Sequence, residues 1–108
     1  MSNLLPLTDA NWDAEVMSSE QPVLIDFWAE WCQPCKVLTP IVEGVAEQYK
    51  GRMKFGQMNV EENDNVPFRY NITTLPTLLI IKKGQVSEQS VGLVSKDKLI
   101  KLIDPILA

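Results

Sequence analysis

The chain contains no histidine, and several other functional signals are missing or weak. Without histidine it lacks the side chain that most often moves protons near neutral pH and most often binds metals. Its net charge of −4 argues against the basic surface of a nucleic-acid-binding domain. No apolar run approaches the roughly 18 residues that a membrane span needs, and the first residues lack the pattern of a secretory signal. We therefore expect a cytoplasmic protein without a metal, a nucleic-acid partner or a membrane contact.

Only two cysteines are present, and they form the motif Cys32-Gln33-Pro34-Cys35 between a strand-like and a helix-like run. A Cys-x-x-Cys pair in this position is typical of a centre that cycles between dithiol and disulfide. A structural disulfide is one alternative, although so short a loop removes little entropy from the unfolded chain. A metal site shared between two chains is another, although a zinc site usually needs four ligands and this chain offers two thiols.

The placement of the two thiols predicts unequal roles. Cys32 begins a helix, where free N–H groups and the helix dipole favour a thiolate, so we expect its pKa to lie below the free value of about 8.5. Thiolates attack disulfides, which makes Cys32 the predicted nucleophile. Cys35 lies about one turn further on. We expect it to be the more buried resolving cysteine, which attacks the mixed disulfide and releases the reduced substrate.

Strand-like and helix-like segments alternate along the 108 residues, which suffice for one domain, 1–108. Val23–Trp28 is an apolar run interrupted by Asp26, as expected of a central strand covered on both faces. From Pro34 to Gly51 the apolar residues take helical spacing, and Pro40 is expected to kink this helix. The order β-α-β-α-β-α-β-β-α predicts an α/β fold with a mixed sheet. The stripe on the long helix is predicted to comprise Val37, Leu38, Ile41, Val42, Val45 and Tyr49.

Local signals predict the remaining elements. Thr8 is predicted to cap a first helix, with Leu7 and Trp12 packed across the cap. Asn71 is predicted to end a short helix in the left-handed conformation, and Ser95 to cap the last helix. The short helix is predicted over 63–70, further strands over 53–60, 77–82 and near 86–91, and a turn at Lys83-Gly84.

Asp26 is the second chemical clue. A charged carboxylate inside an apolar strand is costly, so its pKa should be raised. Strand alternation places Asp26 on the same face as Leu24 and Trp28, beneath the helix that carries the cysteines. A carboxylate held by neighbouring hydrogen bonds for purely structural reasons is the alternative.

The segment Asp26-Phe27-Trp28-Ala29-Glu30-Trp31-Cys32-Gln33-Pro34-Cys35-Lys36 resembles the active-site segment of the thioredoxin family, and the resemblance extends over essentially the whole chain. It implies the thioredoxin fold, with a mixed central sheet of about five strands flanked by four helices. It implies a protein-disulfide reductase, which acts on disulfide-containing proteins and is recharged by a thioredoxin reductase. The sequence has no glycine-rich nucleotide fingerprint, so no cofactor is expected, and nothing in it suggests more than a monomer. In such proteins the residue matching Asp26 is the general acid or base for the buried cysteine.

The resemblance also implies a partner-binding surface. Pro76 matches the family's cis-proline, and the backbone of Leu75 is expected to pair with an extended substrate as a short added strand. Gly92 is expected near the substrate groove. Ordinary turn roles for Pro76 and Gly92 are the alternatives. Trp31 is expected to be an exposed apolar contact and Trp28 to pack under the cysteines.

Residues around the motif complete the expected site, and some depart from the family pattern. Gln33 and Pro34 are expected to contact the substrate, with Gln33, in place of the usual glycine, shifting the reduction potential modestly. Gln57 occupies the position of a usual lysine, so Asp26 is expected to stay protonated more easily. Lys36 either helps to hold the thiolate charge or is a solvated surface lysine. Thr73-Thr74 replaces a more basic stretch, so the identity of the cognate reductase stays open.

Two other functions stay open from the sequence. A more oxidising protein of this fold would form or isomerise disulfides, although the chain has no secretory signal and no histidine between the cysteines. A non-enzymatic scaffold or partner-holding subunit is the second alternative. Replacing the cysteines with serine separates these classes, because a scaffold role survives the replacement.

Overall fold

A computed structural model describes residues 3–108 of the chain. Five strands, three α-helices and one short π-helical segment follow one another in the predicted order. The strands are β1 (Leu5–Pro6), β2 (Val23–Trp28), β3 (Lys54–Asn59), β4 (Thr77–Lys82) and β5 (Gln85–Val91). The helices are α1 (Gln33–Gln48), α2 (Asn65–Arg69) and α3 (Lys96–Leu107), with the π-helical segment at Asp13–Met17.

The five strands form one mixed sheet in the order β1-β3-β2-β4-β5. β1 and β2 run parallel to β3, whereas β4 runs antiparallel to both of its neighbours, β2 and β5. β4 and β5 are joined by Lys83-Gly84, whose φ angles of 52° and 80° are those of a tight hairpin turn with the twist of the strands. The mixed sheet predicted from the sequence is therefore confirmed.

β2 lies in the middle of the sheet and is covered on both faces. Ile25 and Phe27 pack into a cluster with Trp12 of the N-terminal segment. Leu24 faces the other way and packs into a cluster with α1 and α3. Asp26 alternates with Ile25 and Phe27, and it meets α1 through a hydrogen bond from Thr39. The carboxyl is therefore held on the α1 face, as strand alternation predicts.

α1 follows the predicted stripe with one exception. Leu38, Val42 and Val45 are buried against the sheet, and Tyr49 closes the stripe at the C-cap. Val37 is 54% exposed, so its assignment to the stripe is wrong. At about 100° per residue Val37 lies roughly 100° from Leu38, outside the buried face. The helix continues through Pro40, and the kink expected there stays a prediction.

The predicted caps had different outcomes. Ser95 caps α3, because its Oγ accepts the backbone N–H of Lys98 at 3.2 Å. Asn71 follows α2 with a φ of 55°, the predicted left-handed conformation. The prediction for Thr8 is wrong, because the helical segment begins at Asp13 and Trp12 takes the N-cap position. Thr8 instead closes the preceding turn, in which its Oγ1 accepts the N–H of Asn11 at 3.0 Å.

Candidate active site

The two cysteines form a disulfide at the N-terminal end of α1. Cys32 is the N-cap residue, with extended backbone angles, and its Sγ accepts the backbone N–H of Cys35 at 3.2 Å. Pro34 occupies the first turn, where its missing N–H removes no helical hydrogen bond. The sulfur of Cys32 therefore lies where free N–H groups and the positive end of the helix dipole favour a negative charge.

The disulfide lies in a small apolar cluster at the end of β2. Cys32 is 4% exposed and Cys35 is 1% exposed, and both pack with Ala29. Three partly buried side chains pack against this cluster, those of Trp28, Val60 and Leu75. Cys32 is thus only slightly more accessible than Cys35 in the oxidised protein.

Asp26 is a buried carboxyl with few partners. It is fully inaccessible to solvent, and Thr39 Oγ1 donates to its Oδ2 at 3.4 Å. Its Oδ1 has no hydrogen-bond partner among residues 3–108. Burial raises the pKa of Asp26 to about 7, and the hydrogen bond from Thr39 only partly opposes that rise. Near neutral pH the carboxyl is therefore protonated in about half of the molecules, which suits a group that accepts and returns a proton.

A cavity of about 320 Å³ beside α1 joins several predicted site residues. Gln57 lines it and is paired with Asp26 across the parallel strands β2 and β3. Lys36 also lines it, and its Nζ lies 3.9 Å from Glu30 Oε1 in an exposed pair. The remaining lining residues are Trp28, Glu30, Cys35, Thr39 and Pro40. The cavity therefore lies between Cys35 and two residues next to Asp26, which are Thr39 and Gln57.

The predicted partner-binding residues form two groups along the chain, one within and beside the cysteine motif and one at Leu75, Pro76 and Gly92. The Leu75–Pro76 peptide bond is cis, and the N–H of Gly92 donates to Pro76 O at 2.8 Å. Gly92 has a φ of 93°, and a Cβ at this position would have no heavy atom within 4 Å. Its backbone conformation, rather than crowding within the chain, therefore favours glycine here.

The exposed side of the motif consists of three neighbouring residues. Trp31 is 67% exposed, and Gln33 and Pro34 are exposed beside it. They lie outside the buried cluster of the cysteines, against which Trp28 and Leu75 pack. Their position leaves these three side chains available to a partner.

Thr39 was not among the residues singled out from the sequence. It lies four residues after Cys35, so both lie on one face of α1. Its Oγ1 lies 3.0 Å from Cys35 O and 3.4 Å from Asp26 Oδ2, and the hydroxyl can donate to either oxygen. The sequence could have indicated this residue, because Thr39 is one turn after Cys35 and a buried carboxyl was expected beneath the same helix.

Comparison with known proteins agrees with this geometry. A family model described as Thioredoxin matches residues 3–105. The chain belongs to the thioredoxin family. It is 43% identical to a thioredoxin of Rickettsia felis over 98 residues, which covers 91% of this chain and 93% of the relative. It is 39% identical to a thioredoxin of Haemophilus influenzae over 104 residues, or 96% and 97% of the two chains, and 38% identical to one of Pseudomonas aeruginosa over 102 residues, or 94% of each.

Membership of the thioredoxin family establishes the reaction class. The protein is a protein-disulfide oxidoreductase whose Cys32–Cys35 pair cycles between dithiol and disulfide. Disulfides are its substrates, and a reductase recharges it, as is general for thioredoxins. Within residues 3–108 no helix is long and apolar enough to cross a membrane. No group of three or more His, Cys, Asp or Glu side chains in that part of the chain is arranged to hold a metal.

Proposed function

We propose that the chain is a general protein-disulfide reductase of the cytoplasm, a monomer with a single domain over residues 1–108, which a thioredoxin reductase recharges. Cys32 is the nucleophile, Cys35 is the resolving cysteine, and Asp26 exchanges a proton with Cys35. The observation that carries this proposal is the Cys32–Cys35 pair at the N-terminus of α1, above a buried carboxyl whose pKa is raised to about 7.

The reaction proceeds by two sulfur exchanges. The Cys32 thiolate attacks one sulfur of the substrate disulfide, forms a mixed disulfide and expels the first substrate thiolate, which takes up a proton. Cys35 then loses its proton and attacks the Cys32 sulfur, which forms the Cys32–Cys35 disulfide and expels the second substrate thiolate. Two electrons pass from the dithiol to the substrate, and the reductase later returns two electrons to the protein.

Asp26 is suited to the second exchange. A general base works best when its pKa lies near the working pH, and the pKa of Asp26 is raised to about 7 by burial. The ionised carboxylate accepts the Cys35 proton before the attack and returns it when the disulfide is reduced again. Trp28, Gln57 and Lys36 support this region by lining the cavity beside Cys35.

The substrate is an extended segment of a protein that carries an accessible disulfide. We assign its binding to the exposed side chains of Trp31, Gln33 and Pro34 on one side of the cysteines. On the other side the backbone of Leu75 and Pro76 pairs with the segment as a short added strand. Gly92, tied to Pro76 by its N–H, leaves room for the substrate beside them.

The reduction potential tests this function against its redox alternative. The protein is equilibrated in graded thiol–disulfide buffers, and the fluorescence of its tryptophans reports the state of the cysteines. A potential of about −270 mV, the general value for thioredoxins, supports a cellular reductant. A value of about −180 to −120 mV would overturn the proposal in favour of disulfide formation or isomerisation.

Trapping with serine variants tests the assigned roles and the scaffold alternative. Cys35→Ser leaves the nucleophile without its resolving partner, so it should accumulate a mixed disulfide with an added disulfide-containing protein. Cys32→Ser is the matched control and should accumulate none. Equal trapping by both variants would contradict the assigned roles, and partner binding that survives the double replacement would favour a scaffold.

A further inference from the structure

The hydroxyl of Thr39 lies between the buried carboxyl and the helix turn that carries the resolving cysteine. Thr39 Oγ1 is 3.4 Å from Asp26 Oδ2 and 3.0 Å from Cys35 O. The first distance crosses from α1 to β2, and the second spans one turn of α1. Thr39 is thus a polar link between two groups that the proposed reaction uses.

A threonine hydroxyl has one hydrogen, so it can donate to only one of these oxygens at a time. When Asp26 is ionised, donation to Oδ2 stabilises the carboxylate. When Asp26 is protonated, its own O–H can donate to Thr39 Oγ1, while Thr39 donates to Cys35 O. Thr39 can therefore form a hydrogen bond with Asp26 in either protonation state of the carboxyl, with the direction of donation reversed between the two states.

The contact is long for an O–H···O hydrogen bond, but it reaches a carboxyl that is fully buried. Among residues 3–108, Thr39 is the only side chain that forms a hydrogen bond with the carboxyl, and Asp26 Oδ1 has no partner there. A hydrogen bond to a charged group contributes more than one to a neutral group. Loss of the Thr39 hydroxyl would therefore disfavour the ionised form of Asp26 more than the protonated form.

The charged groups near Asp26 affect its ionisation less than Thr39 does. On β3 and β4 its register partners are Gln57 and Leu78, both uncharged. At the cavity beside it the titratable side chains are those of Cys35, Lys36 and Glu30. Lys36 and Glu30 are exposed and 3.9 Å apart, so solvent and their mutual pairing weaken their fields.

We propose that Thr39 is a positioning residue that stabilises the ionised form of Asp26 and thereby sets the pH range in which Cys35 can be deprotonated. This inference rests on the proposed role of Asp26 in the second sulfur exchange. A purely structural role is the alternative, since threonine hydroxyls in helices commonly bond the carbonyl four residues earlier. That alternative predicts no change in the titration of Asp26 when the hydroxyl is removed.

The test is a carbon NMR titration of the Asp26 carboxyl in the oxidised protein, where the cysteines do not titrate. Thr39→Val removes the hydroxyl and keeps the shape, and Thr39→Ser keeps the hydroxyl. We expect the Val variant to raise the pKa of Asp26 by about one unit and the Ser variant to retain the wild-type value. Asp9, whose carboxylate binds the start of α2, titrates in the same spectra as an internal control.

A second readout separates this inference from the proposed function. In the reduced protein the single-turnover rate of disulfide reduction is measured against pH for the same variants, and its midpoint should rise with the pKa of Asp26 in Thr39→Val. An unchanged Asp26 titration in Thr39→Val, or in Thr39→Ala if the Val variant does not fold, overturns the inference whatever the rates show. A shifted titration with an unshifted rate profile overturns the role of Asp26 in the proposed function, and with it the effect of Thr39 on Cys35.

Discussion

Asp26 of β2 and Gln57 of β3 occupy paired register positions in neighbouring parallel strands, next to the cavity that Cys35 lines. The buried carboxyl therefore has a neutral amide beside it on this strand. With no cation in that position, burial dominates and raises the pKa of Asp26 to about 7. The charge of residue 57 is thus a direct means of changing the ionisation of Asp26.

Gln57→Lys should lower the pKa of Asp26, because a nearby positive charge favours the carboxylate. Gln57→Glu should raise it, because a second carboxylate opposes ionisation. We expect shifts of about one unit in opposite directions, measured by carbon NMR titration of the oxidised variants. Shifts in the same direction in both variants would show that packing changes, rather than charge, control Asp26.

Asp26 should make the oxidised protein less stable as the pH rises. Its pKa is raised from 3.8 to about 7 on folding, so between these values the folded state binds more protons than the unfolded state. The stabilisation is complete below pH 4 and is lost as the pH rises through 7, which lowers the free energy of unfolding by about 3 kcal/mol between pH 5 and pH 8. Urea unfolding at both pH values measures this loss.

Asp26→Asn is the matched variant for that experiment, because it keeps the shape of the side chain and cannot ionise. Its free energy of unfolding should change much less between pH 5 and pH 8 than that of the wild type. The variant should therefore be the more stable protein at pH 8. An equal pH dependence in both proteins would assign the effect to other groups.

Asp9 should stabilise the N-terminal end of α2, although it lies 55 to 57 residues earlier in the chain than the N–H groups it accepts. Its carboxylate accepts the backbone N–H groups of Asp64, Asn65 and Val66 at 2.9 to 3.0 Å. Partial burial raises the pKa of Asp9, but these three donors and the charge of Arg69 outweigh it and leave the pKa lowered. Asp9→Ala should lower the free energy of unfolding by about 1–2 kcal/mol at pH 7, as loss of a helix cap does.

The control for Asp9 lies at the N-cap position of the same helix. Asp64 occupies that position but makes no capping hydrogen bond with its side chain. Asp64→Ala should therefore change the free energy of unfolding by less than Asp9→Ala in the same urea experiment. In the wild type the contribution of Asp9 should also disappear as the pH falls below about 4, because its pKa is lowered on folding. A larger loss in Asp64→Ala would contradict this assignment.

Elements with local signals could be predicted from the sequence. β2 is an apolar run interrupted only by Asp26, α1 has helical spacing that ends before Gly51, and the cysteines mark the start of that helix. Ser95 was found because a side-chain cap acts within one turn. Thr8 carries the same signal but closes a turn. A threonine hydroxyl can accept an N–H three residues later in a turn as well as at a helix start, so the sequence pattern does not distinguish the two.

Contacts between distant segments could not be predicted in the same way. Asp9 meets α2 across 55 to 57 residues, and Thr39 meets Asp26 across 13. Neither pair has a spacing that a helix or strand period would indicate. The position of Asp26 was predictable from strand alternation. Its partner, the Thr39 hydroxyl, could be identified only from the angle at which α1 crosses β2.

Gly92 and Gly44 should respond in opposite ways to the same change. Gly92 has a φ of 93°, which an alanine adopts at a cost, so Gly92→Ala should lower the free energy of unfolding by about 1–2 kcal/mol. Gly44 lies within α1, and a Cβ there meets no atom within 4 Å, so Gly44→Ala should raise it by about 0.5–1 kcal/mol. Urea unfolding of both oxidised variants measures the difference. A Gly92→Ala protein as stable as the wild type would mean that the turn relaxes to a negative φ, and the hydrogen bond from Gly92 to Pro76 would then have to move with it.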